Sequence, residues 1–230
     1  MPPWVTSGAV SRDRDRTATG LLLLVIGFAM SWVPYLSFVG DILAFVGIIV
    51  VIVGRRGFGP EHQRNVVIGG VLFIVTLVGA VGLAVWFVFA LLGQASASGT
   101  GVTIAASQLQ GDFEALFIGA ALLGILGSLS RVIMVYGLAD RTTRTLLWAG
   151  FVASVAVSLL VLAVLYPQIV TAINQATSGS TIDTGPLTSL QGEETLLGLL
   201  NVLPAALFAW AYWRAREESM NRPSEPSSSF

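Results

Sequence analysis

The apolar residues of this chain fall into six long blocks divided by polar intervals, without the two-residue alternation of a half-buried strand. Blocks of about 20 apolar residues can cross a hydrocarbon layer roughly 30 Å thick at 1.5 Å per residue. In lipid, a helix is the form that satisfies every backbone group within its own segment. The pattern predicts an all-α integral membrane protein with six transmembrane helices, at about 18–36, 41–58, 66–92, 112–137, 145–166 and 193–213. A polar cytoplasmic tail, 1–17, precedes them, and a largely disordered one, 214–230, follows.

The first helix begins around Leu21-Leu22-Leu23-Leu24 and ends near Pro34, with Trp32 and Tyr35 at interface depth. Its step Gly27-Phe28-Ala29 resembles the end of a secretory signal, but the apolar run continues past Ala29 and reads as an uncleaved span. Helices one and two form a tight hairpin about an outer turn at Ser37–Gly40. A basic loop, Gly54–Asn65, follows, in which Gly57-Phe58-Gly59 is a turn and His62 a solvated loop residue. The third helix is long enough to tilt, and the fifth ends at Pro167.

Orientation comes from the arginines, because basic residues close to helix ends are retained on the cytoplasmic side. All twelve basic residues are arginines. Eleven of them, Arg12, Arg14, Arg16, Arg55, Arg56, Arg64, Arg141, Arg144, Arg214, Arg216 and Arg222, fall in segments at one end of a six-helix arrangement. Arg131 lies about two turns from that same end. Both termini are therefore expected in the cytoplasm, in the cell membrane, as three hairpins of common orientation.

The hairpins also echo one another. Leu109-Gln110-Gly111-Asp112 recurs as Leu190-Gln191-Gly192-Glu193, each before an apolar run, and Gly40-Asp41 stands at the corresponding place in the first hairpin. Arg64-Asn65-Val66-Val67 opening helix three parallels Arg144-Thr145-Leu146-Leu147 opening helix five. A parallel internal repeat about an axis along the membrane normal is the expectation.

Composition narrows the chemistry. The chain has 230 residues, 54% hydrophobic and only 11% charged, with a mean hydropathy of +0.80; soluble domains carry roughly 25% charge. With no cysteine and one histidine, thiolate catalysis, iron–sulfur ligation and histidine-rich metal sites are excluded. No Walker or complete dinucleotide motif is present, and a net charge of −1 gives no nucleic-acid signature. No catalytic, cofactor-binding or metal residues, and no cofactor, are expected.

Three groups of residues are candidates. Asp41, Asp112 and Glu193, with Glu114 and Glu194 beside them, fall at the outer starts of helices two, four and six. There they either cap helix N-termini or form an acidic mouth that concentrates cations. Arg131, Asn201 and Pro204 are polar or helix-disrupting positions inside the membrane: Arg131 is expected to snorkel, and Pro204 frees the carbonyl of Leu200. Small residues at four-residue spacing, Ala120, Gly124 and Ser128 on helix four and Gly150, Ser154 and Ser158 on helix five, predict close packing within the bundle or in a homo-oligomer.

The segments Ser31-Trp32-Val33-Pro34-Tyr35, Gly54-Arg55-Arg56-Gly57-Phe58-Gly59-Pro60 and Arg64-Asn65-Val66-Val67 resemble uncharacterised archaeal multi-pass membrane proteins. That resemblance implies a prokaryotic cell-membrane location and carries no functional residues. Intramembrane charge, the usual mark of proton relays and ion paths, is scarce here. The expected role is a non-enzymatic structural or accessory component of a membrane complex, in contact with lipid and other membrane subunits. The alternative is a small transporter or channel for a cation or small solute.

Overall fold

Long apolar runs fold into helices throughout. The computed structural model describes residues 3–31, 33, 36–97, 106–177 and 199–221, and no strand occurs among them. The helices among the described residues are α1 (Pro3–Ser31), α2 (Ser37–Gly54), α3 (Pro60–Ala97), α4 (Ala106–Tyr136), α5 (Arg141–Thr177) and α6 (Val202–Asn221), with a 3-10 turn at Arg55–Phe58. Among the described residues, four stretches are long and apolar enough to cross a membrane: Phe38–Phe58, Pro60–Gly93, Gln108–Tyr136 and Arg141–Gln175. They mark the chain as a membrane-embedded helical protein. The first and sixth expected spans, 18–36 and 193–213, lie partly outside the described residues and are not among the four. The apolar part of α1 runs only from Thr17 to Ser31, and α6 as described carries four charged residues between Arg214 and Glu218.

Several boundaries differ from the sequence expectation, each for a local reason. The leader is not a separate tail, because α1 is helical from Pro3. Its polar half is held by Arg14, whose Nε–H donates to the Gly57 carbonyl at 3.0 Å and whose guanidinium lies 5.3 Å from the centre of the Phe58 ring. The first helix stops at Ser31, and the turn precedes Ser37–Gly40, which opens α2; the Val33 amide donates to the Met30 carbonyl and the Leu36 amide to that of Val33. The expected basic loop is mostly structured. Gly59, at φ 90°, reverses the chain, and Pro60 begins α3 where a missing amide hydrogen costs nothing.

His62 is consequently a helix residue, buried and edge-on to Phe58 at 5.6 Å, and not a solvated loop residue. Pro167 lies inside α5, which continues to Thr177. In a membrane helix the hydrogen bond lost at proline is re-satisfied locally. Part of the expected 214–230 tail is also helical, as α6 runs on to Asn221.

The helices form two compact units. The first comprises Met1–Val71, Leu129–Phe151 and Val202–Phe230; the second comprises Leu72–Ser128 and Val152–Asn201. In the first, α1 and α2 form an antiparallel hairpin along a glycine seam. A methyl group built on Gly27 would lie 2.7 Å from the Gly40 carbonyl oxygen, and one on Gly20 would lie 2.8 Å from that of Gly47. The converse approaches, Gly40 to Gly27 and Gly47 to Gly20, are 2.7 and 2.9 Å. Gly20 and Gly27, like Gly40, Gly47 and Gly54, are spaced by seven residues, the period that keeps one helix face against a coiled partner. Such stripes let backbones approach where dispersion, not water exclusion, drives association.

Elsewhere in this unit, Ser130 Oγ donates to the Gly69 carbonyl at 2.7 Å, tying α4 to α3. Phe208 of α6 lies 3.4 Å from where a Gly150 methyl would be, on α5.

In the second unit, α3 and α4 run antiparallel. Thr76, Leu83 and Leu123 pack over Gly127, Gly119 and Gly79 respectively, and Phe87 meets Phe113 edge-on at 4.9 Å. The Tyr166 hydroxyl on α5 donates to the Glu114 carboxylate on α4 at 3.1 Å.

Candidate functional site

Chemistry in the first unit gathers around Arg131 on α4. Its guanidinium carbon sits 5.0 Å from the centre of the Phe28 ring of α1 and 5.9 Å from that of Phe208 on α6. The two rings are themselves 6.0 Å apart, and Tyr212 lies 5.4 Å from Phe28. The Tyr212 hydroxyl donates to the Arg131 carbonyl at 2.9 Å. Phe208 and Tyr212 are fully buried. A cation over an aromatic face is attracted by the ring quadrupole, by about 0.5–1 kcal/mol when exposed and about 2 when desolvated.

Snorkelling toward the arginine-rich end is not what Arg131 does. The Cα–Cβ bond of a helical residue tilts toward the helix N-terminus. On α4 that direction leads away from the turn at 137–140, so the side chain extends back along the helix into the rings. The Asp41 carboxylate of α2 is within coulombic range of the guanidinium, although the two form no direct ion pair among the described residues.

The acidic positions are not helix caps where they are described. Leu36 occupies the N-cap of α2 without a side-chain hydrogen bond, which places exposed Asp41 a turn inside the helix. Asp112 lies six residues after the start of α4 at Ala106. The helices begin earlier than the apolar blocks because polar residues such as Ser107 and Gln108 continue the helical hydrogen bonding. Glu114 accepts from Tyr166, as above. Glu193 and Glu194 lie outside the described residues, as does the second copy of the Leu-Gln-Gly-acid echo. Asp41 belongs to the first compact unit, and Asp112 and Glu114 to the second.

Asn201 is exposed at a turn just before α6, and Pro204 is buried in the first turn of that helix. The interruption is where a missing Pro204 amide leaves the Leu200 carbonyl without its helical donor. Of the small-residue stripes, Gly124 approaches Ser158 Oγ at an ordinary 3.5 Å, joining α4 to α5. Ser128 is buried, its hydroxyl donating to the Ile125 carbonyl at 2.9 Å. Ala120 is exposed and Ser154 half-buried. Gly150 serves Phe208 of α6 instead of α4.

A second polar cluster ties α6 to the α4–α5 turn. Asp140 caps α5, its Oδ1 accepting from the Thr143 amide at 2.6 Å. Glu218 accepts from the Asp140 amide and the Thr143 hydroxyl, both at 2.9 Å, and Arg214 lies 3.7 Å from the Asp140 carboxylate. The Thr143 amide is the largest influence holding the Asp140 carboxyl below its usual range, with the Thr143 hydroxyl and Arg214 acting in the same sense. Among the described residues no group of three or more metal-ligating side chains occurs.

Phe28, Phe208, Tyr212, Glu218 and the α1–α2 glycines were not singled out from sequence. The glycine spacing of seven was readable; the aromatic partners of Arg131, on α1 and α6, carry no local signal. No known protein family, curated protein or solved structure matches the chain.

Proposed function

We propose that this chain is a non-enzymatic structural or accessory component of a membrane complex. In this reading it resides in a prokaryotic cell membrane as six spans in three hairpins, with both termini cytoplasmic. The observation that carries it is the use made of Arg131. A charge inside a membrane usually marks a transport path or relay, but here the guanidinium lies against two aromatic rings from two other helices, and its own carbonyl is taken by Tyr212. That arrangement fixes α1, α4 and α6 together and leaves the cation little access to a moving solute.

Much of the remaining apolar surface awaits lipid or other subunits: along α3, Val71, Ile74, Val78, Val81, Val85 and Phe89 are all exposed. A second reading, a small conduit for a cation or solute, has Asp41 in its favour, an exposed carboxylate within coulombic range of Arg131.

Extraction in mild detergent followed by affinity capture and native mass spectrometry tests the first reading, and cation flux in liposomes tests the second. Stoichiometric partner subunits and no flux support the accessory role. Flux through the purified chain that falls on neutralising Asp41 overturns it.

A further inference from the structure

We infer that the face of α5 at the arginine-rich end is a binding site for the phosphate headgroup of an anionic phospholipid. Tyr136, Ala139, Asp140, Arg141, Arg144, Thr145 and Trp148 line an open groove of about 680 Å³. Arg141, Arg144, Thr145 and Trp148 recur at helical spacing, which puts them on one face of α5.

Arg144 is already oriented. Its guanidinium carbon is 4.5 Å from the centre of the Tyr136 ring, and its Nε–H donates to the Ala139 carbonyl at 3.0 Å. Among the described residues its two terminal nitrogens, and the whole Arg141 guanidinium, have no hydrogen-bond or ion-pair partner. A planar guanidinium matches two phosphate oxygens at once, and one held in place beforehand loses less freedom on binding.

The acidic groups nearby are engaged elsewhere. Asp140 accepts from the Thr143 amide and faces Arg214, and Glu218 accepts from Asp140 and Thr143. Counting Arg141, Arg144 and Arg214 against Asp140 and Glu218, the surroundings keep a net positive charge of one.

Position selects a lipid over a free anion. Trp148, 44% exposed, lies two turns into α5, at the start of its apolar run, at the depth where tryptophan meets the headgroup region. A headgroup on the arginines would lay its acyl chains along the exposed apolar face of α5 at Trp148 and Ala149. Basic pockets beside membrane helices recognise anionic headgroups in this way.

The inference rests on the membrane reading, and its test separates the two. Native mass spectrometry of the purified chain in detergent is titrated with phosphatidylglycerol, phosphatidylcholine and inorganic phosphate. One phosphatidylglycerol retained in preference to phosphatidylcholine is expected. Arg141→Gln and Arg144→Gln should each weaken it roughly fivefold, and the pair roughly 25-fold. Arg56→Gln with Arg64→Gln, both exposed, is the charge-matched control and should leave retention unchanged.

Because Arg144→Gln also removes the bond to Ala139, Arg141→Gln and Trp148→Leu serve as independent variants, with melting in phosphatidylcholine confirming that they fold. Equal retention of both lipids, equal loss in the control, or protection by inorganic phosphate alone would overturn the site. Failure to enter micelles or bilayers at all would overturn the membrane reading instead.

Discussion

The glycine seam between α1 and α2 makes a quantitative prediction, best tested at Gly27. An alanine there would place its methyl 2.7 Å from the Gly40 carbonyl oxygen, 2.8 Å from the Ala44 amide nitrogen and 3.0 Å from the Ala44 methyl. Two of these three neighbours are backbone, so no side chain can swing aside. Reaching an ordinary contact of 3.4 Å requires the helices to part by about 0.7 Å. A gap of that order forfeits roughly a quarter to a half of the dispersion energy of each atom pair along the seam, and overpacking of this kind costs about 1–3 kcal/mol.

Alanine also gains up to about 1 kcal/mol of helix propensity over glycine. The proper reference is therefore Gly82→Ala on α3, where a methyl meets nothing within 4 Å. Gly27→Ala should be less stable than Gly82→Ala by about 1–3 kcal/mol, read from reversible unfolding in detergent followed by tryptophan fluorescence. Gly20→Ala and Gly47→Ala sit across one contact, so their costs should combine to less than their sum. If Gly27→Ala matches or exceeds Gly82→Ala in stability, the close approach of α1 and α2 is refuted.

Three further outcomes are expected. Tyr212→Phe keeps the ring against Phe28 but loses the bond to the Arg131 carbonyl, and should lower stability by about 0.5–1.5 kcal/mol in the same assay. Asp140→Ala removes the α5 cap, at a cost of about 1 kcal/mol. The folded Asp140 carboxyl is held below its unfolded value, so its contribution is complete above about pH 5 and fades as pH falls through 4 and below. The melting temperature of Asp140→Ala should accordingly converge on that of the parent chain in acid, and a constant difference from pH 7 to 3 would contradict the assignment. Because the chain lacks cysteine, single cysteines report topology. Ser96→Cys should react with an impermeant maleimide on intact cells and Met220→Cys only after permeabilisation; Met220 is chosen because Ser219 is buried.

Much of this architecture was readable in the chain. The helical, membrane-embedded class follows from the length of the apolar blocks, because a backbone in lipid has few other ways to satisfy itself. Where helices end was less legible. Residues 3–17 look like a charged tail, yet they are helical because Arg14 finds Gly57 and Phe58 on the far side of the hairpin turn. Pro167 reads as a stop, yet α5 passes through it. The seven-residue glycine period was visible in sequence, whereas the pairing of Gly27 with Gly40 and of Gly20 with Gly47 needed the hairpin to be closed.

Arg131 marks the division most clearly. Sequence alone determined that a cation lies inside α4, because position along a helix sets depth. Only the tertiary structure decided what the cation does there. Its partners Phe28 and Phe208 are 103 and 77 residues away, and cation–ring attraction depends on where helices cross rather than on any local pattern. The same holds for Glu218, which reaches Thr143 across 75 residues. Periodicity and composition are properties of neighbours along the chain; which helix faces which is settled by the packing of whole surfaces.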